Sequence, residues 1–313
     1  MATQMMRAML THSYGGSESL RLEETPRPVP EEGCVLVRVH AVGLQPKDWL
    51  IPQGVFKESQ PVTFPFIPGV EVAGVVEEVG PGVAADLLGQ AVLGRVARGG
   101  YAEYVSVSVK ALALKPKALS FIEAAAFPDG ALTAWRALFD NAGVTAGQQV
   151  LIQGVNGMIV FAIQLAKWKG ARVISSALEK HREFVLSLGA EQFVDITTTP
   201  AERMDLVLHG ASATVSSALA ALRDGGTLIS NAALRPEEQE QVQAREIRVV
   251  TSQGVATVPL ETLTQLAEEG FLKVPVGKTF ALREAAQSHA YAQSGQGCGR
   301  FALRVVEDDS VMS

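Results

Sequence analysis

The chain is short of cysteine. Cys34 and Cys298 are the two in 313 residues, too few for a four-cysteine zinc lobe and in keeping with a reducing compartment. Basic residues are outnumbered as well: 27 Lys and Arg against 33 Asp and Glu leave a net charge of −6, which argues against a nucleic-acid footprint. No apolar run approaches membrane-spanning length. The opening MATQMMRAMLTHSYGG has no apolar core of signal-peptide length. These absences predict a cytoplasmic protein with neither nucleic-acid nor membrane partners. What remains is an ordinary globular composition, 47% hydrophobic and 19% charged, long enough for two domains.

The most informative stretch present is Val150 to Gly170, VLIQGVNGMIVFAIQLAKWKG. Val150-Leu151-Ile152 is a short apolar run of the kind buried on both faces of a parallel sheet. Gly154-Val155-Asn156-Gly157 is a tight turn. From Ile159 the apolar residues Ala162, Ile163 and Ala166 recur at helical spacing, and Gly170 supplies a stop. A second strand, Ala171 to Ser176, follows at once. Strand, glycine turn, helix and strand open a dinucleotide-binding fold, with the helix N-terminus facing a pyrophosphate. The turn departs from the usual GxxGxxG: Met158 replaces the doubled glycine, and Val160 replaces the last one, where bulk works against close helix–strand packing.

Residues 1–120 are rich in short strands and turn signals and read as a small β-barrel-like domain. Arg7–Thr11 and Cys34–Val42 are strands. Val70–Val79 reads as a strand pair closed by Gly80-Pro-Gly. Ala91–Val96 and Tyr101–Val105 flank Gly99-Gly100 as a hairpin would. From Ser120 helices appear, at Phe121–Phe127 and Leu132–Asn141, with Pro128-Asp-Gly130 between them. Alternating strands and helices then predict a parallel sheet over 121–256. From residue 257 to 313 two helices and a last strand return to the first domain.

At this point the chain resembles a known family. Ala41-Val-Gly-Leu-Gln-Pro-Lys-Asp48, Ile67-Pro-Gly-Val-Glu-Val-Ala-Gly74, Gly99-Gly-Tyr-Ala-Glu-Tyr-Val105, Leu132-Thr-Ala-Trp-Arg-Ala-Leu138 and Ala221-Leu-Arg-Asp-Gly-Gly226 stand in order. Together they are similar to the zinc-independent medium-chain dehydrogenase/reductases of the quinone oxidoreductase and enoyl reductase branch. The resemblance runs over nearly the whole chain. It implies an α/β protein: a GroES-like β-barrel-type domain (1–120 and 257–313) and a Rossmann doubly wound parallel-sheet domain (121–256). It also implies a homodimer and a small-molecule substrate in the cleft between domains, with hydride passing from NADPH to a quinone, enone or enoyl thioester.

The resemblance also places the site. A zinc dehydrogenase would offer a cysteine near Gln45 and a histidine before Glu71; Gln45 and Val70 stand there, so no metal is expected. The cofactor would meet Gly154, Asn156, Gly157, Met158 and Ile159. Ser176 and Lys180, where NAD enzymes carry a ribose-binding carboxylate, suit the 2′-phosphate of NADPH; alternatively Lys180 and Arg182 are a solvated helix face. Thr133 would orient nicotinamide or substrate, and Lys47 would contact an anionic group or carbonyl. Trp49 and Phe56 would wall the substrate pocket, Phe56 occupying the place of a tyrosine that enoyl thioester reductases carry. Gln45 stands for the family's asparagine, with a longer arm.

The resemblance implies that Asp129 lies in a segment lining the nicotinamide pocket, where a desolvated carboxyl would become a usable acid or base; a helix N-cap is the alternative. His209 follows the strand Leu206–Leu208 at its C-terminal end, where ligands collect, or is a satisfied surface histidine. Two enzymatic readings follow. In the first the chain is an NADPH-dependent reductase that takes its proton from water. In the second the altered turn marks a reductase scaffold turned to isomerisation, cyclisation or dehydration, with Asp129 and His209 as acid and base. A cofactor-binding regulator without catalysis has no positive sign.

Overall fold

The structure is a computed structural model that describes residues 4–155, 157–210 and 213–306. It divides into two compact units: one ends at Asp129 and resumes at Val274, and the other runs Gly130–Lys273.

In the first unit β1 (Met5–Leu10) and β2 (Arg21–Pro26) form an antiparallel pair. The hub is β3 (Cys34–Gly43), whose run of Val and Leu suits a strand covered on both faces. The helix α1 (Pro46–Leu50) follows it, then β4 (Glu71–Val79), β5 (Ala91–Arg95), β6 (Tyr104–Ser108) and β7 (Leu112–Leu114). One edge of β3 pairs with β4; along Cys34–Arg38 the other pairs with β6. β5 pairs with β4 and β7. The expected hairpin across Gly99-Gly100 is therefore not formed. Those glycines instead press the loop onto its neighbour, their N–H groups donating to the carbonyls of Ile67 (2.9 Å) and Gly69 (3.0 Å). Val35, Val37, Val39, Val72, Val92 and Tyr101 are among the buried residues of this core, each contributing about 1.5–3 kcal/mol.

Helix α2 (Phe121–Ala125) starts at Ser120, whose hydroxyl caps the Glu123 N–H, and packs on β3 and β4. Helix α3 (Pro128–Trp135) begins at Pro128, and a π-helical turn continues it over Arg136–Asn141. Pro128-Asp-Gly130 is thus the first turn of a helix and not a linker, since proline is preorganised for that position.

The second unit holds β8 (Gln149–Gln153), α4 (Ile159–Trp168), β9 (Arg172–Ala177), α5 (Arg182–Ser187), β10 (Gln192–Asp195) and β11 (Met204–Leu208). It continues with α6 (Val215–Ala221), β12 (Leu222–Ile229), α7 (Pro236–Ala244), β13 (Arg248–Val250) and α8 (Leu260–Glu268). The sheet order is β10-β9-β8-β11-β12-β13, parallel throughout. It reverses between β8 and β11, and a doubly wound sheet opens its ligand crevice beyond the strand ends at that reversal.

The chain re-enters the first unit later than residue 257. Gln164 of α4 exchanges two hydrogen bonds with the Lys273 backbone, at 2.7 and 3.0 Å, and this ties the segment after α8 to the parallel-sheet unit. Only then come β14 (Val276–Ala281), α9 (Ala285–Gln293) and β15 (Arg300–Arg304), which pairs with β3 along Ala41–Gly43. The earlier boundary lies past residue 120 for a similar reason: α2 covers the strands of the first unit.

Candidate active site

In the first unit a buried polar cluster forms where β3 leads into α1. Gln45 precedes α1 with extended backbone. Its Nε2 donates to Glu71 Oε2 at 2.6 Å, and its backbone N–H donates to Asp48 Oδ2 at 2.8 Å. Glu71, fully buried, also accepts from Arg300 Nη2 at 2.6 Å and from the Asp129 backbone N–H. Burial pushes the Glu71 carboxyl up, and the Arg300 guanidinium pulls against it. Arg300 is equally enclosed and gives its Nε to Ala126 O at 2.7 Å. Gly43 must lack a side chain here, because a Cβ would stand 2.4 Å from Ala125 O and 2.6 Å from Glu71 Oε2.

Asp48 begins a second chain of contacts. It accepts from the Gly69 N–H at 3.2 Å and lies 3.4 Å from the Tyr101 hydroxyl. Tyr101 Oη is 2.8 Å from His289 Nε2, and His289 Nδ1 is 3.4 Å from Ser17 Oγ. Burial pushes Asp48 up to about 8, with the Glu71 charge adding and the Gln45 and Gly69 N–H groups opposing. Burial alone brings His289 down to about 4. Tyr101 is pushed well up, first by burial and then by Asp48. Every member is therefore neutral near pH 7, and one set of proton positions satisfies the chain from Asp48 through Tyr101 and His289 to Ser17.

The other residues singled out in this unit are placed as follows. Lys47 is exposed, and Trp49 is half-buried with its ring 5.5 Å from that of His289. Phe56 is half-buried in the turn after α1. Asp129 is not a free desolvated acid: its Oδ1 is 2.7 Å from Arg95 Nη2.

In the second unit the turn after β8 carries Gly154 at φ +109° and Gly157 at φ +61°, a conformation that favours glycine. A Cβ at Gly157 would meet nothing within 4 Å. Helix α4 starts after Met158 with no side-chain cap, so its first N–H groups are left for a ligand. Ile159 and Val160 are buried. Val160 is fully enclosed, so its bulk is accommodated in the interior. Asn156 lies outside the described residues.

Ser176 is buried at the end of β9, its carbonyl accepting from the Gly154 N–H at 2.8 Å. Lys180 is exposed. Arg182 is not available as a second cation, since it closes on Glu179 at 2.6 and 3.0 Å. Among the described residues, the buried atoms Gln153 Oε1 and Ser175 Oγ have no partner. Thr133 Oγ1 accepts from Arg136 at 3.3 Å. His209 is satisfied at both nitrogens: Nε2 faces Ala213 O and Nδ1 faces Ser230 Oγ, each at 3.0 Å. Gly210 beside it is required, because a Cβ would fall 1.9 Å from Gln153 O. Ala211 and Ser212 lie outside the described residues.

Sequence reasoning passed over Arg300, Tyr101 and His289 and used Glu71 only as a landmark. The available signal was a lone acid in the apolar run Val70–Val72 and a lone arginine opening β15.

The chain is similar to known families and proteins. Residues 31–117 match the alcohol dehydrogenase GroES-like domain, and residues 188–303 match the zinc-binding dehydrogenase model. A chloroplast envelope quinone oxidoreductase homolog of Arabidopsis thaliana is 31% identical, over 97% of this chain and 99% of its own. The quinone oxidoreductase of Mus musculus is 30% identical, over 94% and 96%. The solved quinone oxidoreductase from Coxiella burnetii superposes with a TM-score of 0.84 at 28% identity, covering 97% of this chain and all of that one. The fold and these matches define a medium-chain dehydrogenase/reductase, with a GroES-like unit and a Rossmann unit. Within that class the chain belongs to the quinone oxidoreductase family.

Among the described residues no helix is long and apolar enough to cross a membrane. Nor does any group of three or more His, Cys, Asp and Glu gather to hold a metal ion.

Proposed function

We propose that the protein reduces an activated C=C bond or a quinone with NADPH and without a metal. The observation that carries this reading is the uncapped start of α4 behind Gly154 and Gly157, at the reversal of the sheet. The residues fit the cofactor. Free N–H groups of the first turn of α4 bind the pyrophosphate, and Gln153 Oε1, buried without a partner, accepts from the ligand. Lys180 pairs with the 2′-phosphate beside Ser176. Glu179, the carboxylate nearest that place in sequence, is held by Arg182 and is not offered to a ribose hydroxyl.

NADPH, when bound, supplies the hydride. Lys47 polarises the acceptor carbonyl, Trp49 and Phe56 wall the pocket, Thr133 orients the nicotinamide, and water supplies the proton. The Gln45 amide is given to Glu71, and Val70 is apolar, so neither offers a zinc ligand. Redox-neutral chemistry is the weaker reading, because Asp129 and His209 are both engaged.

The proposal extends to a cytoplasmic homodimer. β13 ends its sheet, and Val249 on it is 37% exposed; sedimentation of the pure protein tests this. Activity is tested by NADPH oxidation with a panel of quinones, enones and enoyl thioesters, before and after chelator treatment. Oxidation that survives chelation supports the reading; no oxidation with any acceptor refutes it.

A further inference from the structure

The first unit contains a cavity of about 620 Å³ between the outer face of β6 and the loop that follows β5. That is large enough for a small organic ligand. Met6, Pro65, Ile67 and Val96 supply apolar wall. Among its described lining residues the charged groups are Arg95 and Arg98 alone, and no carboxylate faces it. Arg95 is already neutralised by Asp129 at 2.7 Å. Arg98 is exposed and makes no ion pair or hydrogen bond with the described residues.

The backbone beside Arg98 is nevertheless held at the rim. The next residue, Gly99, adopts φ +96°, and its N–H donates to Ile67 O at 2.9 Å, so the loop is pinned across the cavity. Tyr104 and Ser106 stand on the same face of β6 and line the wall. A third guanidinium stands against Tyr104: that of Arg27 lies 4.1 Å from its ring centre and is paired with Glu78.

An apolar cavity with one unpaired guanidinium at its edge selects a ligand with an apolar body and a negative end. A planar guanidinium binds a carboxylate through two parallel hydrogen bonds, whereas a neutral ligand would leave it unmatched and a cation would be repelled. We propose that this cavity binds a small amphipathic organic anion, an aryl or alkyl carboxylate, with its carboxylate on Arg98 and its hydrocarbon against Met6 and Ile67. The site stands on the first unit alone and does not depend on the reductase reading.

Calorimetric titration of the full chain with 2-naphthoate tests it, with 2-naphthalenemethanol as the uncharged analogue. The expected result is binding of the naphthoate, weakened about tenfold or more by Arg98→Gln and partly kept by Arg98→Lys, with the alcohol weak in every chain. Ser106→Trp, which fills the cavity, removes binding while the thermal melt shows the variant folded. Three results overturn the proposal: no binding to the unaltered chain, equal affinity after Arg98→Gln, or loss of binding in Lys180→Ala in place of Arg98→Gln. The last would put the anion on the cofactor unit.

Discussion

Three donors converge on Glu71, one of them the Arg300 guanidinium, and both partners are sealed from water. Removing the carboxylate leaves a buried cation unpaired. Glu71→Gln is therefore expected to lower stability by about 3–5 kcal/mol, read as a shift of the urea midpoint; an unchanged midpoint would contradict the pairing. Asp48 and His289 yield a different test, since their folded values cross: about 8 against an ordinary 3.8, and about 4 against 6.5. Between pH 4 and 6.5 the folded pair holds one proton, on Asp48, and the unfolded pair also holds one, on the histidine. The pair then adds no slope to stability. From pH 6.5 to 8 the folded pair keeps its proton while the unfolded pair has lost both, so stability falls by about 2 kcal/mol as pH rises. Asp48→Asn removes that fall and exposes His289, whose contribution is then lost on acidification from pH 6.5 to 4, by about 3 kcal/mol. Glu71 and Tyr101 face Asp48, and Tyr101, Ser17 and Trp49 face His289. Denaturation curves across this range check the prediction, and equal slopes for the two proteins would contradict it. The lone acid and lone arginine were visible in the sequence but their pairings were not, because Glu71 and Arg300 stand 229 positions apart and Tyr101 and His289 stand 188 apart.

At the level of elements, periodicity and glycine placement did reveal β8, the turn, α4 and β9. What they did not show is how Val160 packs. Its bulk stood against close helix–strand packing; in the helix it is fully buried, and its carbonyl accepts from Gln164 at 2.8 Å. Val160→Gly is accordingly expected to destabilise the protein by roughly 2–3 kcal/mol, from the void and the added backbone freedom. Met158→Gly, at a half-buried position ahead of the helix, should change stability by less than about 1 kcal/mol. Thermal melts of the two variants separate these effects. If Val160→Gly instead melts with the unaltered chain, the inward packing is wrong. The hairpin expected across Gly99-Gly100 failed for a similar reason: glycine pairs mark close approaches as well as turns, and here the approach is to Ile67 and Gly69.

For the molecule as a whole, the succession of a strand-rich segment, alternating strands and helices, and a returning tail was readable from composition and period. The boundaries were not, because α2 and the segment after α8 are assigned by packing that local pattern does not encode. The split edge of β3, shared between β6 and β15, was equally hidden, since its two partners stand far apart in the sequence. The central claim is that the turn after β8, altered as it is, still receives NADPH with Lys180 at the 2′-phosphate. Lys180→Ala should then weaken NADPH by about tenfold and leave NADH nearly unchanged. The most direct measurement is calorimetric titration of the unaltered chain with NADPH and, separately, NADH. The account predicts clear binding of NADPH and much weaker binding of NADH; failure of NADPH to bind at millimolar concentration would contradict it.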